Sequence, residues 1–431
     1  MNKNKIKGMA IRENISNMNP YDCVVIGGGA SGLFFASSFP KSKKHLLILE
    51  KNKLPGIKLT ITGHGRCNIT HAGSIKNFID KYGKSSHKIR KCLYKHNNIE
   101  LLSFLHKNGM ETISDEKGRI FPVTLNAKDV RDLLLNKSIL NGFSILTDSE
   151  VTDLSKENGL WNISFKGKSN SYNSVYAKNV VIATGGCSYP GTGSDGKMLH
   201  ILSEKAGLEI TDLSPALSSI YIYNYPFSEL SGISFENVLI SIYTDIENRT
   251  PARKNLLAST SGDILLTHNN FSGPAILNIS EYAKKGYKLS VNFIYPLNNE
   301  KAFSLLMDKL NSSGLSIANA TADIFALPKK FCRKLISENS ICRNTASIRR
   351  LSELLTFSVF DIKGTDGFKN AMVTHGGVSL DEIDIKTMES KKHPSLFIIG
   401  EALDVNGESG GYNLQFAYSS AKTAADEIYS R

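Results

Sequence analysis

Nowhere does this chain sustain an apolar run that could cross a bilayer. Its longest apolar stretches, such as Cys23–Gly29 and Leu396–Gly400, fall far short of the ~20 residues a membrane-spanning helix requires. No membrane partner is therefore expected. The six cysteines, Cys23, Cys67, Cys92, Cys187, Cys332 and Cys342, never fall into CxxC spacing. That pattern argues against a structural zinc site and a disulfide framework alike, so no metal and a reducing cytoplasmic setting are the expectations. Residues 1–19 lack the apolar core of a secretory signal and read as a flexible extension, with Met9 and Met18 as alternative starts. Internal repeats and low-complexity segments are also missing.

What remains is the composition of an ordinary globular protein, 41% hydrophobic and 21% charged over 431 residues. Such a length has room for about two or three domains. The net charge of +12 could attract nucleic acid, but the lysines are spread along the chain among Asn, Ile and Ser. A nucleic-acid partner is not expected on that ground.

The order of elements suggests an α/β domain interrupted by an insertion. Residues 21–50 read as strand, glycine turn, helix and strand, the opening of a βαβ unit. Helix-period apolars follow between 94 and 141, with Asn126 as a cap before "AKDVRDLLLNKSIL". Strand-like runs occupy 143–184, and "SLFIIGEALD" returns to a buried strand near the end. The expected domains are a discontinuous α/β domain over 20–205 and 356–431, a β-rich insertion over 206–299 and a helical part over 300–355.

Within the first unit, Gly27, Gly29 and Gly32 give GxGxxG directly after a strand and at the start of a helix. This context marks a dinucleotide site: the first glycine permits a tight turn, the second lets a pyrophosphate approach, and the third lets helix and strand pack closely. The helix N-terminus offers free N–H groups and partial positive charge to the phosphates. Glu50, at the end of the second strand, can accept hydrogen bonds from a ribose. Two later strands end in Thr184, Gly185 and Gly186 and in Gly400, Glu401 and Asp404, where ligands bind in open α/β folds. Three such strand ends suit FAD better than NAD. No further GxGxxG directly after a strand occurs between 100 and 355, so any NAD(P)H is expected only as a transient electron donor.

The segments "TGHGRCNIT", "ATGGCSYPGTGSDG", "LLTHNNFSGPAIL", "THGGV", "TMESK" and "GEALDVNGESGGYNLQFAYSS" resemble those of bacterial NAD(P)/FAD-dependent oxidoreductases labelled aminoacetone-oxidase-family FAD-binding enzymes. A flavin reductase of bile-acid dehydroxylation is similar to this group. The resemblance spans residues 20–427 and implies a glutathione-reductase-type FAD-binding Rossmann domain, an inserted β-barrel-like domain and a small helical part. His64 and Asn270 stand where the family often has glycine, and Ala421 replaces another. The resemblance also places the loop of Gly65, Arg66, Cys67 and Asn68 against the flavin, and aims the helix that begins after Gly411 at the flavin's pyrimidine edge. Ala30, Ser31, Lys51, Lys58, Val151, Asn413 and Leu414 complete the expected cofactor-binding set.

Arg66 is expected as a charge-assisted donor to pyrophosphate. Cys67 has no resolving cysteine nearby and is read as packing rather than as a redox thiol. His375 and Tyr189 are the candidate catalytic acid/base groups, with His268 ranked behind them. The implied activity is an FAD-dependent oxidoreductase passing a hydride through flavin N5 to or from a small organic substrate admitted between the two domains. A flavin-dependent RNA-modifying enzyme and a non-catalytic FAD-binding protein are the alternatives.

Overall fold

The computed structural model describes residues 19–246 and 252–431. All but the last residue of the expected N-terminal extension thus lies outside the described residues. The chain divides into two units: one runs to Ser214 and resumes over Val373–Arg431, and the other is Pro215–Met372.

The first unit is built on a parallel sheet. Its central strand, Tyr21–Ile26, pairs with Leu46–Leu49 on one side and Tyr172–Ile182 on the other, with Val24 opposite both Leu47 and Val180. Phe143–Leu146 and Leu396–Ile398 extend the sheet in parallel at either side. The continuous apolar runs noted in the sequence belong to these strands because a parallel sheet is covered on both faces. Val24, Val25, Val180, Val181 and Phe397 are fully buried. Helix Ala30–Ser38 packs on the C-terminal helix Tyr412–Ser430, where Phe34 meets Tyr418 edge to face at 5.6 Å. Helix Ala127–Leu140 is capped by the Asn126 side chain, which accepts from Lys128 N as its sequence predicts. Because the five strands are parallel, the loops after Ile26, Ile182 and Ile398 leave from one edge of the sheet, which positions the site.

The second unit is a closed six-stranded barrel. Ile220–Ile222, Phe271–Ser272, Leu256–Leu266, Ser234–Tyr243, Lys288–Asn292 and Ser358–Thr365 follow one another around it, and Ile220 pairs with Thr365 to close the ring. Helices Asn299–Ser312, Ile317–Phe325, Lys329–Glu338 and Thr345–Thr356 lie in sequence between its last two strands. Their apolar faces join the barrel core, with Phe293 and Phe331 ring centroids 4.8 Å apart. The units exchange at 214/215 and 372/373 rather than at the 205/206 and 355/356 expected from sequence. The later return has a clear cause: Ser358–Thr365 pairs with Lys288–Asn292 and so completes the barrel instead of opening the α/β return.

Candidate functional site

The fingerprint glycines have different jobs. Gly27, at φ 101°, packs so tightly that an added Cβ would lie 2.7 Å from Ala183 O, and one at Gly32 would overlap Gly27 O. Gly29 is unlike them. Its φ is −76°, and a Cβ there would meet only Ala183 O, at 3.8 Å. Open space thus lies over Gly29, at the cap of helix Ala30–Ser38. The first main-chain bond of that helix runs from Leu33 N to Gly29 O, so the N–H groups of Ala30, Ser31 and Gly32 have no intrahelical acceptors.

Glu50 closes the neighbouring strand. Its Oε2 accepts from Gly28 N at 2.8 Å, and its Oε1 accepts from Asn52 N and Nδ2, both at 2.8 Å. Burial pushes its pKa up, and the hydrogen bonds from Asn52 and Gly28 pull part of the way back. Oε2 keeps acceptor capacity for a hydroxyl. Ser149 N donates to Glu50 O at 2.9 Å, which sets the buried Val151 close by in the chain.

At the next strand end, Thr184 Oγ1 is buried without a hydrogen-bond partner among the described residues. Gly185 and Gly186 lead into Ser188, whose Oγ donates to Glu401 Oε1 at 2.7 Å. Lys58 Nζ lies 2.7 Å from Glu401 Oε2 and 2.9 Å from Ser188 Oγ, and Thr374 N donates to Glu401 Oε1 at 2.9 Å. Both oxygens of Glu401 are therefore engaged within the protein, as is Lys51, which pairs with Asp195 at 2.9 Å. Asp404 differs: its carboxylate has neither a hydrogen bond nor an ion pair among the described residues, while its main-chain N donates to Val378 O at 2.9 Å. Gly400 is needed for contact, since a Cβ there would come within 2.6 Å of Ser31 Oγ.

The loop at Thr62–Gly65 carries His64 at φ 57°, the left-handed conformation that explains a family preference for glycine. Cys67, at φ 61°, is fully buried, and burial pushes its thiol up to about 12. Gly65 has nothing within 4 Å of a notional Cβ. Arg66 is exposed and lies over the Phe121 ring at 5.2 Å, with Arg119 over the same ring at 5.8 Å. Asn68, oriented to satisfy both ends of its amide, accepts from Gly411 N at 3.1 Å and so joins this loop to the start of helix Tyr412–Ser430. Asn413 binds Gly407 N and O, both at 2.8 Å, closing the preceding loop, and Leu414 packs half-buried on the core.

His375 ends the strand Val373–His375, with Nδ1 2.9 Å from Asn406 Oδ1. Tyr189 is half-buried at φ 55°, and its hydroxyl has no hydrogen-bond partner among the described residues. His268 is exposed on the second unit. Three non-glycine residues in left-handed conformation, His64, Cys67 and Tyr189, thus sit in the two loops that follow the second and third strand ends; such conformations concentrate at ligand sites. Sequence reasoning missed Asn52, Ser188, Thr374 and Asn406. Their roles arise from contacts across the fold, and only Asn52, two residues after Glu50, carried a local signal.

A dinucleotide fits these residues. The space over Gly29 would admit a phosphate, while Thr184 Oγ1 and the Asp404 carboxylate are polar groups without partners among the described residues. With its parallel sheet, glycine turn and acidic strand end, the first unit is a FAD-binding Rossmann domain, and the protein is a flavoprotein oxidoreductase. The chain belongs to the family described as HI0933-like protein Rossmann domain, which matches residues 21–427. It is 28% identical to a ribosomal RNA dihydrouridine synthase of Escherichia coli, over 95% of this chain and 98% of that one. It is also 28% identical to a 3-dehydro-bile acid delta(4,6)-reductase of Clostridium scindens, over 93% of this chain and 97% of that one. A solved 3-ketosteroid delta1-dehydrogenase of Sterolibacterium denitrificans shares the fold at TM-score 0.53 and 12% identity, covering 96% of this chain and 100% of that one. Among the described residues, no helix is long and apolar enough to cross a membrane.

Proposed function

We propose that the protein is a flavin-dependent reductase that adds hydrogen across a carbon–carbon double bond conjugated with a carbonyl, with uridine in ribosomal RNA as its substrate. The observation that carries this reading is the end-to-end alignment with a ribosomal RNA dihydrouridine synthase, over 95% of this chain. Dihydrouridine is uridine with its ring double bond reduced. The expectation of no nucleic-acid partner rested on dispersed lysines, and it finds no support beside relatives named for ribosomal RNA.

Bound FAD would supply a hydride at N5. The N–H groups at Ala30–Gly32 would hold its pyrophosphate, Glu50 its adenosine ribose, and Asp404 and Thr184 its ribityl hydroxyls. NAD(P)H would visit as the two-electron donor, so that NAD(P)H, a proton and uridine become NAD(P)+ and dihydrouridine. The hydride goes to one carbon of the double bond and the proton to the other. Tyr189, whose hydroxyl is uncommitted, and His375, held through Asn406, are the proposed proton donors.

A second reading, reduction of a small cyclic enone, is favoured by the equally extensive alignment with the bile-acid reductase. One experiment separates them. The FAD-loaded protein is reduced anaerobically with NADPH, then offered deproteinised ribosomal RNA or a panel of steroid-like enones. Dihydrouridine in the nucleoside digest, detected by mass spectrometry, is the expected result. Reoxidation by an enone alone would move the substrate to the second reading.

A further inference from the structure

Helix Ser86–Lys95, "SHKIRKCLYK", contains no acidic residue. From Lys76 to Lys95 the chain carries seven Lys or Arg residues and one acid, Asp80. Ile89, Cys92 and Leu93 are buried, so the helical period turns Arg90, Lys91, Tyr94 and Lys95 outward. Lys88 pairs with Asp381 at 2.7 Å, but Lys84, Arg90, Lys91 and Lys95 form no ion pair among the described residues. Elsewhere on this unit Lys51, Lys58, Lys178, Lys197 and Lys392 have carboxylate partners, while Lys41, Lys53, Lys107, Lys128 and Lys137 have none among the described residues. What sets this helix apart is clustering: Arg90, Lys91 and Lys95 share one exposed face with no acid in the helix.

Two further observations give the row a direction and a ligand chemistry. Lys91, Lys95 and Lys386 line one surface recess of ≈ 200 Å³ together with Cys92, Ile385 and Thr423, with no carboxylate among the lining residues, so Lys386 joins the helix's cations on the same patch of surface. Next to the start of the helix, Ser85 Oγ donates to Asp404 O at 3.0 Å, and Tyr82 OH donates to Tyr412 O at 2.8 Å. The row thus begins beside the segment that bounds the candidate flavin site. From Lys84 to Lys95 it runs about 16 Å at helical rise, long enough to follow several phosphates of one strand. The Arg90 guanidinium lies over the exposed Tyr94 ring at 5.4 Å, a surface on which a base can stack.

We propose that Lys84, Arg90, Lys91, Lys95 and Lys386 form a docking face for the phosphate backbone of RNA, with Tyr94 as a stacking platform. The inference rests on the RNA reading above and adds to it the surface that would hold the strand.

The test uses the full-length FAD-loaded protein and deproteinised ribosomal RNA. Binding is measured across a salt series for wild type, for Lys84→Glu/Lys91→Glu/Lys95→Glu, and for a control of equal charge change, Lys329→Glu/Lys330→Glu/Arg333→Glu on helix Lys329–Glu338. The first variant should lose at least about tenfold in affinity and about two units of salt slope, at ~0.7 per single-strand phosphate contact. Its flavin content and NADPH-driven flavin reduction should match wild type. The corresponding Lys→Gln triple should move the same way by less, which guards against misfolding of the charge-reversed protein. Equal losses in the control would overturn the proposal in favour of a diffuse field. Polyglutamate binding as tightly as RNA, and lost in the first variant, would assign the face to an acidic protein instead. Wild type that makes dihydrouridine and binds RNA with a slope unchanged by the first variant would refute the face and leave the substrate reading standing. Salt-dependent binding through the face, without dihydrouridine, would support the face and overturn that reading.

Discussion

Lys58 and Glu401, 343 residues apart in the chain, meet at 2.7 Å with each side chain 22% exposed. Around this pair gather Ser188 and the Thr374 backbone, so a single carboxylate links the loop after the second strand, the loop after Ile182 and the turn after Ile398. Glu401→Gln keeps the shape of the side chain and removes its charge. Loss of charge-assisted hydrogen bonds of this kind costs about 1.5–3 kcal/mol. The variant should show a lower melting temperature by calorimetry and weaker FAD retention on gel filtration. Unchanged stability and flavin content would mean that Lys58 and Ser188 find other partners.

Gly29→Val should separate folding from cofactor binding. The space over Gly29 can take a side chain, and its φ of −76° is open to any residue, so the variant should keep the circular dichroism of the wild type. It should fail to retain FAD, because valine would fill the phosphate space. Gly32→Val, which would strike Gly27 O, should instead disrupt the fold itself. A yellow Gly29→Val protein would show that the pyrophosphate lies elsewhere.

Cys67→Ser should leave NADPH-driven flavin reduction within about twofold of wild type. Burial holds the Cys67 thiol protonated, at about 12, and a thiol in that state is a poor nucleophile. In the native protein Cys67 should resist alkylation at neutral pH, while the exposed Cys342 reacts. Peptide mapping after iodoacetamide treatment measures both.

Glu50 should leave a pH signature on the stability of the flavin-free protein. Burial raises its folded pKa above the ordinary 4.5, so the protonated form is favoured in the folded state. Its contribution is fully present below that ordinary value and is lost as pH rises through the folded one. The stability of wild type minus that of Glu50→Gln should therefore fall with rising pH across this window and then level off. Chemical denaturation at a series of pH values checks the slope. A difference independent of pH would place the carboxylate's titration at its ordinary value.

The sequence by itself determined the parallel-sheet opening, the glycine turn and the acidic strand end. Each is encoded within about thirty residues by apolar runs, glycine spacing and one carboxylate, and local backbone sterics and burial suffice to read them. It also carried the basic stretch from Lys76 to Lys95, although the whole-chain charge obscured it. Only the tertiary structure decided that Ser358–Thr365 closes the barrel, because its partners at Lys288–Asn292 and Ile220–Ile222 lie across four helices and most of the unit. Only it showed Glu401 spent on Lys58, Ser188 and Thr374 while Asp404, three residues later, remains unengaged. Two acids at one strand end look alike in sequence. What separates them is which distant donors the fold brings within hydrogen-bond reach, and no local periodicity contains that information.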